Sequence, residues 1–230
     1  MDQGCSWYFR RPPLGLCNAE GWPVGRSMTM DRLQHSRRYP VPPAALRHDR
    51  GRVLKGMGRT WLRLMGWRLE GAFPAETRCV IIVAPHTSNW DFILGIAIVF
   101  ALELRTSWLG KHSLFRPPFR AFLGWLGGIP VDRRSSHGVV GDCVKAFASA
   151  PALLIALAPE GTRKGVGQWK TGFYRIAAES GVPILPVRLD YRRHVVQLMP
   201  PFYPTGDIRA DLPLIQGLFL GVEGHHLRPT

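Results

Sequence analysis

The sequence predicts an α/β fold: a single domain in which a central mixed sheet is flanked by helices. Two observations carry this. Between residues 79 and 198, short β-branched runs alternate with longer helix-like segments, an alternation that places helices over both faces of a sheet. A chain of 230 residues with 46% hydrophobic content also suffices for one full-sized core, unlike the composition of disordered or fibrous chains.

Residues 1–56 read differently. "RRPPLG", "YPVPPAA" and "RHDRGR" are rich in Arg, Pro and Gly without a sustained period, a composition unable to bury enough surface to fold. They predict a basic tail, ten Arg and Lys against four Asp and Glu for a net +6. Such a tail tethers the chain to an anionic surface, does nothing specific, or precedes a true start at Met57. The folded domain is accordingly expected over 57–230. From Met57, "MGRTWLRLMGWRLEG" places Trp61, Leu62, Met65 and Leu69 at helical spacing beside Arg59, Arg63 and Arg68. This helix either packs on the core or lies in a membrane interface.

The remaining elements follow in order. "CVIIVA" (79–84) predicts a strand, "DFILGIAIVFALEL" a buried helix and "TSWLG" (106–110) a strand. "RAFLGWLG" predicts a helix, "GIPV" a short strand, "VVGDCVKAFAS" a helix and "ALLIALA" (152–158) a buried strand. "TGFYRIAAES" predicts a helix closed by Gly181, and "VPILPVRLDY" and "HVVQLM" predict strands. No internal repeat is present.

The longest apolar run, residues 92–102, has eleven members, short of the roughly 20 needed to cross a bilayer. "FRRPP" at 9–13 has no apolar segment behind it, so no secretory signal is read and a cytoplasmic location is expected. Cysteines 5, 17, 79 and 143 have neither metal-site spacing nor the density of a disulfide scaffold. The net charge of +14 favours anionic partners. Nucleic acid is not expected, because no zinc-ligand spacing or RNP-like motif accompanies the charge.

Four stretches carry chemistry. In "IIVAPHTSNWDFILG", five helical residues would put His86 and Asp91 about 140° apart. If His86 instead lies in the turn after the strand, Ser88 or Asn89 can cap the helix, and Asp91 in its first turn can reach back to the imidazole. A carboxylate there fixes the histidine tautomer and stabilises the imidazolium of a general base. No G-x-S-x-G elbow supplies a protein nucleophile, so the nucleophile should belong to the substrate. "APEGTRKG" follows a buried strand, at the sheet edge where α/β folds bind ligands. Gly161 there permits a tight turn and Arg163 offers a fork of donors suited to phosphate. "GGIPVDRR" again ends a strand in arginine. "VPILPV" suits an edge strand or the wall of a hydrocarbon site. Singly, each is also an ordinary structural feature: a turn histidine, a polar turn, a solvated basic pair and a plain edge strand.

In their joint order, the blocks resemble the glycerolipid acyltransferases, which include the glycerol-phosphate and lysophosphatidic acid acyltransferases, over residues 80–190. The resemblance implies that His86 deprotonates an acceptor hydroxyl as it attacks an acyl thioester, and that Asp91 orients it. It associates Gly128, Ile129 and Arg133, and Glu160, Gly161 and Arg163, with the acceptor's phosphate, with Lys111 as a further basic ligand. Pro183 and Pro186 match the acyl-donor side, and Trp169, Lys170 and Gly172 the family's aromatic-Lys-x-Gly run. Pro85 stands where many lysophosphatidic acid enzymes have Asn before the histidine, a departure that bears on substrate identity; no hydrophobic anchor is expected ahead of the blocks, and the short chain resembles a compact bacterial branch of the family. The implied activity is O-acyl transfer from acyl-CoA or acyl carrier protein to a lysophospholipid or glycerol-phosphate-like acceptor. It implies no metal or redox cofactor, and a peripheral position on an anionic membrane surface at its cytoplasmic face. The alternative is a non-catalytic peripheral lipid-binding protein on the same scaffold.

Overall fold

Cys79, Ile81 and Val83 pack to one side of the strand at the middle of the molecule, and Val80, Ile82 and Ala84 to the other. This is the two-residue alternation of a strand buried on both faces. The strand is β2 (Arg78–Ala84) of a computed structural model that describes residues 39–131, 136–161 and 169–225. Around it stand β1 (Arg68–Glu70), β3 (Ser107–Lys111), β4 (Gly128–Val131), β5 (Leu153–Leu157), β6 (Ile184–Asp190) and β7 (Val195–Leu198). They form one seven-stranded sheet in the order β1-β7-β6-β2-β5-β3-β4. Every pairing is parallel except β6 with β7. The expected mixed sheet is therefore present, and β2 to β6 deliver their carboxyl ends to one edge.

Helices cover both faces. Leu62 of α1 (Arg52–Leu64) and Leu94 and Ala97 of α2 (Trp90–Leu102) join Cys79 and Ile81 in one core. Phe147 of α4 (Ser136–Ser149), Ile176 of α5 (Gly172–Ser180) and Ile215 of α6 (Ile208–Gly217) join Val80 and Ile82 in the other. The short α3 (Phe119–Trp125) lies in the β3–β4 crossover and buries none of its residues. Among the described residues no helix is long and apolar enough to cross a membrane.

Four sequence expectations are corrected. The domain boundary drawn at residue 57 falls inside α1, which begins at Arg52, and upstream of it Leu46 is only 1% exposed. The first helix also stops earlier than its periodicity predicts. Gly66 turns left-handed at φ 72 and the Trp67 amide donates back to the Leu62 carbonyl at 2.8 Å, a glycine-dependent helix stop. Residues 68–70 then pair with β7. The interfacial reading of this helix loses its tryptophans, since Trp67 is buried in the core and Trp61 packs against it.

The third correction concerns "VPILPV", which is not at an edge, since β6 lies between β2 and β7. The β6–β7 ladder, with Val187 opposite Leu198, shifts by one residue before the Ile184–Phe202 bridge. The N–H that Pro186 lacks falls at this bulge, so the ladder loses little. Finally, α6 was not foreseen. Asp207 caps it by accepting the Arg209 and Ala210 amides, while Pro213 inside it obscures the helical pattern.

Candidate active site

β2 ends at Ala84 on the carboxyl edge, and the chain turns through Pro85, His86 and Thr87 before α2 begins. Asn89 takes the N-cap position and the Trp90 amide donates to Ser88 Oγ at 3.2 Å. Asp91 thus stands in the first turn, where the helix dipole favours a carboxylate. Its side chain is 1% exposed, and its Oδ2 lies 3.0 Å from His86 Nδ1. The expected reach-back of the acid to the imidazole is what the geometry shows.

Asp91 also accepts the Thr87 amide at 2.8 Å and the Ser88 amide at 2.9 Å on the same oxygen. Its other oxygen accepts the Tyr191 hydroxyl at 2.5 Å. Burial by itself raises the Asp91 carboxyl, but hydrogen bonds from His86, Tyr191 and the Ser88 amide outweigh it and hold the group below its ordinary range. Burial and then the Asp91 carboxylate push the Tyr191 phenol well above its ordinary range, so it remains a donor. With Asp91 ionised, Nδ1 is the protonated nitrogen of a neutral His86 and Nε2 is left to take a proton.

Glu160, on the turn after β5, donates nothing to this pair. Its carboxylate accepts the His86 amide at 3.1 Å. Burial pushes its carboxyl above the ordinary value, and the His86 amide offsets that only in part. The amides of His86, Thr87 and Ser88 are therefore all engaged by carboxylates and are not available to a developing oxyanion. This places Glu160 as a support of the His86 turn rather than as a phosphate ligand, which suits the charge of a carboxylate. Gly161 adopts φ 65, and a Cβ there would come within 2.8 Å of Lys170 Cδ. The Lys170 stem thus crosses the turn, with its amide donating to the Pro159 carbonyl at 2.8 Å.

The other expected residues are placed unevenly. Lys111 ends β3 on the same edge, exposed, with β5 between its strand and β2. Arg133 and Arg163 lie outside the described residues. Gly128 is explained by packing, since a Cβ there would meet Trp108 and Phe115 side chains at 2.7 and 2.8 Å, while Ile129 is exposed. Pro186 is buried opposite Ile82. Pro183 sits at the amino end of β6, its carbonyl accepting the Val80 amide, more than about 15 Å along the strands from the β2 carboxyl end. Direct contact of Pro183 with atoms reacting at His86 is excluded.

The sequence reading missed Tyr191. It directly follows β6 at the shared edge, so the rule that ligands gather at strand carboxyl ends was the signal that could have found it. Trp67 meets its ring edge-on at 4.9 Å and His225 at 5.1 Å. Its amide donates to the Glu223 carbonyl at 3.0 Å. Beside it, a Cβ at Gly224 would come within 2.7 Å of the Thr87 side chain, so residues 223–225 close over the His86 turn.

The sequence profile of the Acyltransferase family matches residues 68–190, more than half of the chain. The 1-acyl-sn-glycerol-3-phosphate acyltransferase of Escherichia coli (strain K12) is 31% identical over 160 residues, covering 60% of this chain and 64% of that protein. The enzyme of the same name from Haemophilus influenzae is 31% identical over 147 residues, covering 60% of this chain and 59% of that protein. The chain spans somewhat less than two thirds of the length of these relatives. The crystal structure of the 1-acyl-sn-glycerophosphate (LPA) acyltransferase PlsC from Thermotoga maritima superposes with a TM-score of 0.53 at 15% identity, covering 72% of this chain and 75% of that one. It shares the fold. A profile running from β1 through β6, across every block that meets at the His86 edge, shows that this chain belongs to the Acyltransferase family.

Proposed function

We propose that the protein is an O-acyltransferase of the 1-acylglycerol-3-phosphate acyltransferase type, moving a fatty acyl group from a thioester to a hydroxyl of a lysophospholipid or glycerol-phosphate-like acceptor. The observation that carries this reading is the His86 Nδ1–Asp91 Oδ2 contact of 3.0 Å in a turn of the Acyltransferase-matched segment. His86 Nε2 takes the acceptor's hydroxyl proton as the oxygen attacks the thioester carbonyl. Asp91, kept ionised by its donors, stabilises the imidazolium. The carbon–sulfur bond then breaks, and the departing thiolate takes the proton from Nε2, so the reaction balances with ester and thiol as products. A thioester is already activated, and the chemistry as written draws on no metal or redox cofactor.

Acyl-CoA and acyl carrier protein both present such a thioester. Lys111, Arg133 and Arg163 are the candidate ligands for the acceptor's phosphate, since two arginine forks and an ammonium suit its charge. A lysophospholipid resides in a bilayer, so with an acceptor of that kind the protein works at an anionic membrane surface, on its cytoplasmic face.

The test is thiol release from palmitoyl-CoA and from palmitoyl-acyl carrier protein, each with lysophosphatidic acid, other lysophospholipids or glycerol 3-phosphate. The wild type should release thiol only with an acceptor, and His86→Ala should lower turnover about 100- to 10,000-fold. The fold should survive this change, because Asp91 keeps its Thr87, Ser88 and Tyr191 donors. An unchanged rate in His86→Ala would sink the mechanism. Absence of turnover with every pair, in a protein that binds vesicles, would leave the lipid-binding alternative.

A further inference from the structure

A helix normally exists in a folded protein because one face of it is buried, and α3 buries none of its residues. Phe119 is 61% exposed, Phe122 51% and Trp125 49%, at three-residue spacing, with Leu114 and Ile129 exposed on either side. The segment is nevertheless firmly held. Phe115 is buried and stacks on Trp108 at 5.7 Å, in a slot that exists because Gly110 and Gly128 lack a Cβ that would strike it. Trp108 Nε1 donates to the Leu126 carbonyl at 3.2 Å, and Arg50 donates to the Trp125 carbonyl at 3.0 Å. Phe115 anchors the crossover, Trp125 keeps one face against Phe100 at 6.0 Å and the Arg50 guanidinium at 5.0 Å while half of it stays exposed, and Phe119 and Phe122 are presented outward.

Charge selects the partner. Between residues 105 and 131 the sequence carries Arg105, Lys111, Arg116 and Arg120 and no acidic residue, and Lys111, Arg116 and Arg120 are exposed among the apolar side chains. Apolar and aromatic groups interleaved with cations match the acyl–headgroup boundary of an anionic bilayer. A second copy of this chain would set the same arginines against one another, which opposes a two-fold pairing through this patch. The position also serves the site. Phe92, one residue after Asp91, meets Trp108 at 5.0 Å, so a line of rings links the His86–Asp91 turn to the patch.

We propose that the β3–β4 crossover, through Phe119, Phe122 and Trp125 with Arg116 and Arg120, is a docking surface for an anionic phospholipid bilayer. Binding to lipid needs no turnover, so this inference can fail without the acyl-transfer reading failing, and the reverse.

The experiment is flotation of the full chain with vesicles of phosphatidylcholine alone and of phosphatidylcholine mixed about 2:1 with phosphatidylglycerol. The wild type should bind the anionic vesicles, and Phe119→Ser/Phe122→Ser/Trp125→Ser should bind them at least about tenfold more weakly. Arg116→Ser/Arg120→Ser should weaken binding and flatten its salt dependence. Leu214→Ser/Leu220→Ser, at exposed apolar positions in and just after α6, should bind as the wild type does, and unchanged circular dichroism melts should show all variants folded. A triple variant that floats like the wild type overturns the proposal, as does a wild type that binds neither vesicle. A wild-type dimer that the triple variant converts to monomer also overturns it, by assigning the patch to a second copy.

Discussion

Asp91 organises more of the site than the histidine it serves. Its carboxylate ties together the Thr87–Ser88 turn, the His86 ring and Tyr191 from the end of β6, so it fixes the position of β6 relative to the His86 turn as well as the tautomer of His86. Tyr191→Phe removes one donor and almost no volume. A hydrogen bond to a buried charged group is worth about 1.5–3 kcal/mol, and the variant should lose that much stability at neutral pH. The sign follows from the depressed Asp91 carboxyl. Its contribution is present above the unfolded value, near 3.8, and is lost as pH falls through the lower folded value. Removing Tyr191's bond raises the folded value, so the acid-unfolding midpoint should move up, and wild type and variant should converge at pH low enough to protonate Asp91 in both. Urea melts at a series of pH values check this, and a difference that stays constant through the acid range would show that Tyr191 acts by packing alone. His86 and Asp91 were legible in the sequence because their contact is local, five residues apart. Tyr191 was not, because it lies a hundred residues from Asp91 and only the parallel register of β6 on β2 brings it to the same edge.

At the scale of elements, legibility followed length and burial. β2, β5 and α5 are apolar runs or amphipathic segments that end at Gly or Pro, α2 is a long apolar run between Asn89 and Glu103, and the structure has all of them near their expected limits. β1 was hidden because three residues carry no period and its partner β7 lies far along the chain. β6 was misplaced because proline usually marks an edge, whereas here a bulge absorbs its missing donor. The pairing of α1 with α2 shows what the sequence pattern leaves out. A Cβ at Gly58 would come within 2.6 Å of the Ala97 carbonyl oxygen and 2.7 Å of the Ala101 nitrogen. The atoms it meets are backbone, which cannot rotate away. Around this contact Arg59 Nε donates to the Ala101 carbonyl at 3.2 Å and Lys55 pairs with Glu103 at 2.5 Å. Gly58→Ala improves intrinsic helix propensity by up to about 1 kcal/mol, so a simple propensity argument expects stabilisation. The close approach predicts the opposite, a net loss of about 1–3 kcal/mol as the helices are forced apart. A denaturation midpoint above that of the wild type would show that the α1–α2 spacing yields.

For the whole molecule, the question is where the folded unit begins. Composition reads residues 1–56 as tail because Arg, Pro and Gly dilute the apolar side chains below any detectable period, yet residues 39–56 contribute to the fold one contact at a time. The Arg105 amide donates to the Leu46 carbonyl and the His48 amide to the Glu103 carbonyl, each at 2.7 Å. Arg47 bridges Leu104, and Leu46 fills the core shared by α1 and α2. These bonds fasten the end of α2, whose first turn carries Asp91. A chain beginning at Met57 loses them, together with the first turn of α1 and the Lys55 partner of Glu103. Deleting a buried leucine alone costs about 2–5 kcal/mol, and at about 2–4 °C per kcal/mol for a domain of this size the melting temperature should fall by roughly 4–20 °C. The comparison is with a chain beginning at Tyr39, which isolates residues 39–56 from everything before them. Because α2 is loosened from its far end, the shorter chain should also lose the proposed acyl-transfer activity at temperatures where it is still folded. Equal melting temperatures for the two chains would show that this segment merely rests on a core that closes without it.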